Sequence, residues 1–194
     1  MRLFPHLLLA ILWTSFCLLH SLLAADRVKQ KIIPHLKKGR AQYRFGYTLF
    51  AAAGFIAIVL YGFSVRSIRL FRPPLFIVVT GIVTGLCGVI IMAICISRYF
   101  LQLSGLKGLL KNEPAPVLLQ NGLHGWVRHP LYMGTFIFIW SLFLLFPSLS
   151  LGISNFIITV YTIVGARLEE KKLVREFGAA YSAYQQKVPM FIPH

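Results

Sequence analysis

Three stretches of this chain, Phe4 to Ala24, Phe45 to Val65 and Leu75 to Ser97, contain no acidic or basic residue other than histidine. Each is as long as the ~20 residues that a helix needs to cross the hydrocarbon core of a bilayer. Two further uncharged stretches follow, Leu131 to Phe146 and Ser148 to Gly165, with Pro147 between them. Runs of this length are read as membrane-spanning helices. Only 13% of the 194 residues are charged and 57% are hydrophobic, too little charge to cover a water-soluble domain. The predicted fold class is all-α: a polytopic membrane helix bundle of about five transmembrane helices, forming a single integral membrane domain over residues 1–194.

Proline cannot sit comfortably inside a helix, so Pro147 makes the last two runs a tight helical hairpin. The first of the pair is short for a full crossing, which calls for tilt or local thinning of the bilayer. Small residues at Gly81, Gly85 and Gly88 let the third span approach a neighbour closely. Ala51 to Ala57 say the same of the second.

The N-terminus imitates a secretory signal, with Arg2 ahead of the apolar run Leu7 to Leu19. The sequence Leu22-Leu23-Ala24-Ala25 lacks the small-x-small pattern of a cleavage site, and the run carries Trp13, Cys17 and His20. It is read as a membrane helix. Cys17, Cys87 and Cys95 all lie in apolar runs and form no Cys/His cluster, so neither a disulfide framework nor a metal site is expected.

The formal net charge is +15, with only five acidic residues. Five spans put sixteen of the twenty lysines and arginines on one side: those of 27–44, those of 98–128 and those of the tail from Arg167. Arg2, Arg66, Arg69 and Arg72 remain on the other. Basic loops between apolar spans are what anionic headgroups and the positive-inside rule select, so nucleic acid is not expected as a partner. The rule places the N-terminus outside and the C-terminus in the cytoplasm. Whether that membrane is a bacterial inner membrane or the endoplasmic reticulum depends on the source.

The stretch "GLHGWVRHPLYMG", residues 122–134, stands at the cytoplasmic mouth of the hairpin. Pro130 suits the first position of a helix, where its missing N–H would be unpaired anyway. His129 then lies at the cap and Tyr132 one turn in. The N–H groups and dipole at such a start favour an anion, and Arg128 and His129 add donors. Taken alone, the stretch fits equally a pair of basic anchors reaching to headgroups. Three of the five acids fall between Glu169 and Glu176, on a face otherwise basic, and the hairpin returns Glu169 and Glu170 to the face that holds His129. Donors beside carboxylates make a mouth suited to a zwitterion, or to a ligand bearing an ammonium or sulfonium. The i,i+4 partners around the pair offer little ionic support for a helix. Beyond it, Leu173, Val174, Phe177, Tyr181 and Tyr184 recur near helical spacing. They predict a C-terminal cytoplasmic amphipathic helix lying on the membrane face, with Gly178 capping or bending it.

"NGLHGWVRHPLYMG", an apolar hairpin, and "RLEEKKLVREFGAAYSAYQQKVPMFIP" together resemble the isoprenylcysteine carboxyl methyltransferase family, over roughly Val117 to Pro193. The wider group of membrane methyltransferases, phospholipid N-methyltransferases among them, is similar. "FCLLHSLLA" also resembles the opening of NnrU-type and thiol methyltransferase-type membrane proteins. The resemblance implies S-adenosylmethionine as cofactor. It implies that His129 and Tyr132, with Arg128 beside them, contact the cofactor, that Glu169 and Glu170 are the family's glutamate pair, and that Leu118, Leu119 and Gly122 line the pocket. Arg167 sits where the family has an arginine near the glutamate pair and is the candidate to orient the carboxylate of a methyl acceptor that has one. The acceptor would be apolar, a prenylated cysteine, a small thiol, a lipid amine or another apolar acid, reached from the bilayer past Phe136, Phe138 and Trp140, which read equally well as packing or lipid-facing residues. His20, near the cytoplasmic end of the first span, is a candidate general base, or else a packed or interfacial histidine. R-H-P-x-Y alone is shared by NADPH-dependent membrane sterol reductases, although those carry Asn where this chain has Leu131. A non-catalytic NnrU-like accessory protein is the other alternative.

Overall fold

The computed structural model of the protein describes residues 3–103 and 117–193, with the side chains of 98–103 left aside. Arg2, Lys107 and Lys111, counted above with the charged faces, lie outside the described residues. Seven α-helices are described: α1 Phe4–Ala24, α2 Asp26–Ile32, α3 Gly39–Ser64, α4 Leu75–Leu103, α5 Pro130–Leu145, α6 Leu149–Phe177 and α7 Ala179–Lys187. Among the described residues the extended pairing is a single antiparallel bridge between Arg69 and Ser148. The fold is all-α, as expected. Helices α1, α3, α4 and α6 are long and apolar enough to cross a membrane, and α5, at sixteen residues, is the short one. The protein is an integral membrane protein.

The helices sort into two compact units. One holds residues 1–69 and the first turns of α6. Here α1 packs on α3. A Cβ on Gly54 would stand 2.9 Å from the Phe16 ring, so glycine is what lets the two helices come together. Polar side chains tie α1 to α3 and to the first turns of α6 at several depths. Tyr61 donates to the Pro5 carbonyl at 3.3 Å, Trp13 Nε1 to Ser154 Oγ at 2.8 Å, and Tyr43 to the Leu23 carbonyl at 2.6 Å. His20, a candidate base from the sequence, shares a 2.7 Å hydrogen bond with the Tyr47 hydroxyl. The second span begins six residues before Phe45, because the polar turn Gly39–Arg44 has already entered the helix.

The other unit holds residues 70–98, 115–147 and 158–194. Its core is the contact of α4 with α5, and the glycines singled out in the sequence form it. A Cβ on Gly88 would lie 2.8 Å from the Phe138 nitrogen and 2.9 Å from the Gly134 carbonyl oxygen. The two backbones therefore touch, and only glycine fits at that crossing. Ser141 covers Gly85 and Leu145 covers Gly81. At the far end α5 stops at Leu145, and the Pro147 carbonyl accepts the Leu70 N–H at 2.8 Å. The hairpin break falls where the proline predicted it.

The tail differs from the single amphipathic helix expected. α6 runs without a break from the apolar span through Arg167, Glu169 and Glu170 to Phe177. Gly178, at φ +55°, then turns the chain into α7. Nothing in the sequence after Gly165 stops a helix until that glycine, whose left-handed backbone an L side chain resists. The two glutamates are thus carried rigidly on the last span.

Candidate functional site

The site is built on three pieces of the second unit: the turn before α5, the charged end of α6, and α7 with the strand-like tail after it. Gly122, at φ +63°, opens a 3₁₀ turn over Gly122–Gly125. Val127 follows, fully buried. His129 then occupies the cap position of α5 and Pro130 its first turn. The His129 side chain makes no capping hydrogen bond. Instead the backbone at this corner pairs with the tail: the Arg128 N–H donates to the Pro189 carbonyl at 2.8 Å and the His129 N–H to the Met190 carbonyl at 3.2 Å.

That pairing turns the Arg128 guanidinium inward rather than toward a ligand anion. Its Nε donates to Glu170 Oε1 at 2.6 Å, and Nη1 donates to the carbonyls of Gln185, at 3.1 Å, and of Val188. Glu170 is buried and has further partners. Gln185 Nε2 donates to its Oε2 at 3.0 Å, His129 Nε2 lies 3.3 Å from Oε1, and the Tyr181 hydroxyl donates to Oε1 at 3.4 Å. Both carboxylate oxygens are thus occupied by protein donors. A buried carboxylate is tolerated only when paired and hydrogen-bonded in this way.

The uncharged run of α6 ends at Ala166, so Glu170 and α7 lie past the membrane-spanning part. Burial alone would raise the Glu170 carboxyl. The hydrogen bond and charge of Arg128, with His129 and Gln185, outweigh burial and hold it below its ordinary value. Tyr181 is raised by burial and then by the neighbouring Glu170 charge. Tyr184 is pushed up to about 12 by burial, with Arg128 opposing. Both phenols stay protonated and serve as donors, Tyr184 to the His124 carbonyl at 2.5 Å.

Glu169 is placed differently. Adjacent residues on a helix point about 100° apart, so Glu169 leaves the buried cluster while Glu170 enters it. Its side chain is 47% exposed, which leaves a carboxylate facing outward. The Tyr132 hydroxyl donates to Glu169 Oε2 at 3.0 Å, and His129 Nδ1 stands 3.8 Å from the same oxygen. The His129 and Tyr132 rings stack at 5.4 Å between centroids, with planes 10° apart. Phe191 packs on His129 from the tail and on Phe136 of α5. The result is a half-open carboxylate beside a two-ring platform.

Five of the residues singled out in the sequence therefore meet: Arg128, His129, Tyr132, Glu169 and Glu170. Leu118 and Leu119 lie in the irregular stretch ahead of the 3₁₀ turn and Gly122 opens that turn, so they flank the cluster rather than enter it. Arg167 is exposed and sits 200° round α6 from Glu169 by helical geometry. Sequence reasoning missed Gln185 and the carbonyls of Val188, Pro189 and Met190, which saturate the Arg128 end. It read Tyr181 and Tyr184 as an apolar stripe only. The signal that was available is the spacing Tyr181, Tyr184, Gln185, one helical face directly after the Gly178 break.

Residues 26–188 match the family described as "Protein of unknown function (DUF1295)". The chain belongs to that family. A methanethiol S-methyltransferase from a Pseudomonas species is 37% identical over 113 residues, covering 55% of this chain and 42% of that protein. The methanethiol S-methyltransferase of Pseudomonas deceptionensis is 40% identical over 73 residues, 37% of this chain and 26% of that one. The protein-S-isoprenylcysteine O-methyltransferase of Saccharomyces cerevisiae is 39% identical over 86 residues, 43% of this chain and 35% of that one. The likeness to the isoprenylcysteine methyltransferase group, first seen in R-H-P-x-Y and the glutamate pair, is thus shared by named relatives. The matched part spans less than half the length of each of these relatives. No solved structure gives a significant match.

Proposed function

We propose that the protein is an integral membrane methyltransferase that moves a methyl group from S-adenosylmethionine to an apolar, lipid-accessible acceptor. The observation that carries this reading is the unequal use of the glutamate pair. Glu170 is consumed by Arg128, while Glu169 presents a half-exposed carboxylate next to the stacked rings of His129 and Tyr132. The relatives' names support methyl transfer as the reaction.

The donor set fits the cofactor. A carboxylate accepts hydrogen bonds from an ammonium or from ribose hydroxyls, and an electron-rich aromatic face favours a sulfonium or ammonium. When bound, S-adenosylmethionine supplies an electrophilic methyl on a positively charged sulfur. Glu169 would hold its ammonium or ribose, with Tyr132 and His129 fixing the carboxylate's direction. Leu118, Leu119 and Gly122 would line the pocket; their turn is tied to α7 by the Tyr184 hydrogen bond to the His124 carbonyl. Arg128 and Glu170 act as positioning residues, since their charges are spent on each other. In-line displacement needs alignment and exclusion of water more than acid or base chemistry, and alignment of this kind can supply ~7–11 kcal/mol.

Among acceptors, the relatives' names point to sulfur compounds, a small thiol or a prenylated cysteine, with a membrane lipid as the remaining class. In the proposed orientation the N-terminus is outside and the C-terminus cytoplasmic, because the basic segments lie on the C-terminal side. A nicotinamide dinucleotide suits the site poorly, since Glu169 would repel its phosphates. The test is equilibrium binding to the purified protein, followed by transfer of labelled methyl to a thiol, a prenylcysteine and a lipid amine. Binding of S-adenosylmethionine and labelling of one acceptor are expected. Binding of NADPH without S-adenosylmethionine would overturn the reading.

A further inference from the structure

A second charged feature lies on α6, on the side of Glu170 away from Tyr132. Arg167, Glu170, Lys171, Val174 and Gln185 line an open depression of about 390 Å³. Glu170 does not set its sign, because that carboxylate is already paired with Arg128 and bonded by Gln185. Among the described residues neither Arg167 nor Lys171 makes an ion pair. Two cations without counter-ions therefore face the depression, and Val174 adds an apolar side chain to its lining.

The depth of the depression along α6 matters as much as its charge. Arg167 is the first charged residue after the uncharged run of residues 149–166, so it marks the level where hydrocarbon gives way to headgroups. Val160, Val164, Arg167 and Lys171 follow one another at spacings of four, three and four, which puts them on one stripe of the helix. Val160 and Val164 are exposed. An apolar stripe thus leads out of the bilayer and ends on two cations. This is the outline of an anionic amphiphile.

We propose that the depression seats the phosphate of an anionic membrane lipid, held by Arg167 and Lys171, with an acyl chain lying along Val160 and Val164. The lipid is a bound partner of this surface, and the inference stands whether or not the chain transfers methyl groups. Basic residues near a membrane surface attract acidic lipids generally. The stripe and the depression add a place to sit, which diffuse charge lacks.

The experiment is native mass spectrometry of the full-length protein in detergent, with phosphatidylglycerol or phosphatidylcholine of matched chains added. Wild type is compared with the double variant Arg167→Ala/Lys171→Ala and with Lys172→Ala/Arg175→Ala, which removes equal charge from residues that do not line the depression. Thermal unfolding of each variant checks the fold. Retention of phosphatidylglycerol over phosphatidylcholine is expected in wild type and in the second variant, with a loss on the order of tenfold in the first. Equal losses in both variants would overturn the proposal in favour of diffuse charge. So would the absence of a preference for phosphatidylglycerol, or displacement of the lipid by inorganic phosphate at similar concentration, which would make the site one for free anions.

Discussion

Arg128 Nε donates to Glu170 Oε1 at 2.6 Å, and each of the two side chains keeps only 10% of its surface exposed. The pair bolts the start of α5 to the end of α6. Removing one partner leaves a buried charge alone, which costs about 3–5 kcal/mol. Arg128→Ala and Glu170→Ala are each expected to lower stability by that order in denaturant unfolding in detergent. The double variant Arg128→Met/Glu170→Met is expected to be more stable than either single one. Singles that unfold like wild type would show that the pair does not hold the corner.

Glu169 separates from Glu170 in what it should do when mutated. Its side chain is half-exposed, so Glu169→Gln is expected to change stability by no more than ~0.5 kcal/mol. In its proposed role it loses a charge-assisted hydrogen bond to the cofactor, and binding of S-adenosylmethionine should weaken by about tenfold or more. Tyr132→Phe removes the hydroxyl that orients Glu169 and should weaken binding by roughly fivefold. Calorimetric titration checks both, and unchanged affinity in Glu169→Gln would remove Glu169 from the site.

The glycines of α4 and α5 make a test that charge does not enter. A Cβ at Gly88 meets backbone at 2.8 Å, whereas one at Gly165 meets nothing within 4 Å. Gly88→Ala is expected to push α4 from α5 and destabilise by about 1–3 kcal/mol. Gly165→Ala should be neutral or gain up to ~1 kcal/mol from helix propensity. Thermal unfolding of the two variants side by side gives the comparison.

The charged cluster also sets how stability responds to pH. Glu170 is held below its ordinary value of 4.5 in the fold. Below that value the unfolded chain binds the extra proton first, so stability is full above about pH 4.5 and falls as pH drops through the folded value. Glu170→Gln should flatten this acid limb. On the alkaline side Tyr184 is raised from 10.0 to about 12. Its contribution is full below pH 10 and is lost between there and about 12, and Tyr184→Phe should remove it. Unfolding midpoints across pH report both limbs.

Much of this architecture is legible along the chain. Uncharged runs of about 20 residues have the length a helix needs to cross hydrocarbon, twice what a spanning strand needs. Pro130 marks a helix start, Pro147 a hairpin, and Gly81, Gly85 and Gly88 a close crossing, because each acts through local backbone sterics. Two adjacent glutamates at a basic face are equally visible. The continuity of α6 through the pair is legible as well, because no local signal ends the helix before Gly178; what no local signal gives is which of the two glutamates faces α5 and α7.

The sequence alone determined that this chain crosses the membrane as helices and gathers opposite charges at one mouth, since both follow from composition and spacing. Only the tertiary structure decided that Glu170 is locked to Arg128 while Glu169 stays open. The two residues are neighbours of identical chemistry, and what separates them is the helical phase that turns Glu170 toward Arg128 at the start of α5 and toward Tyr181 and Gln185 of α7. That phase is set by packing between segments more than forty residues apart, for which no single stretch of sequence carries the information.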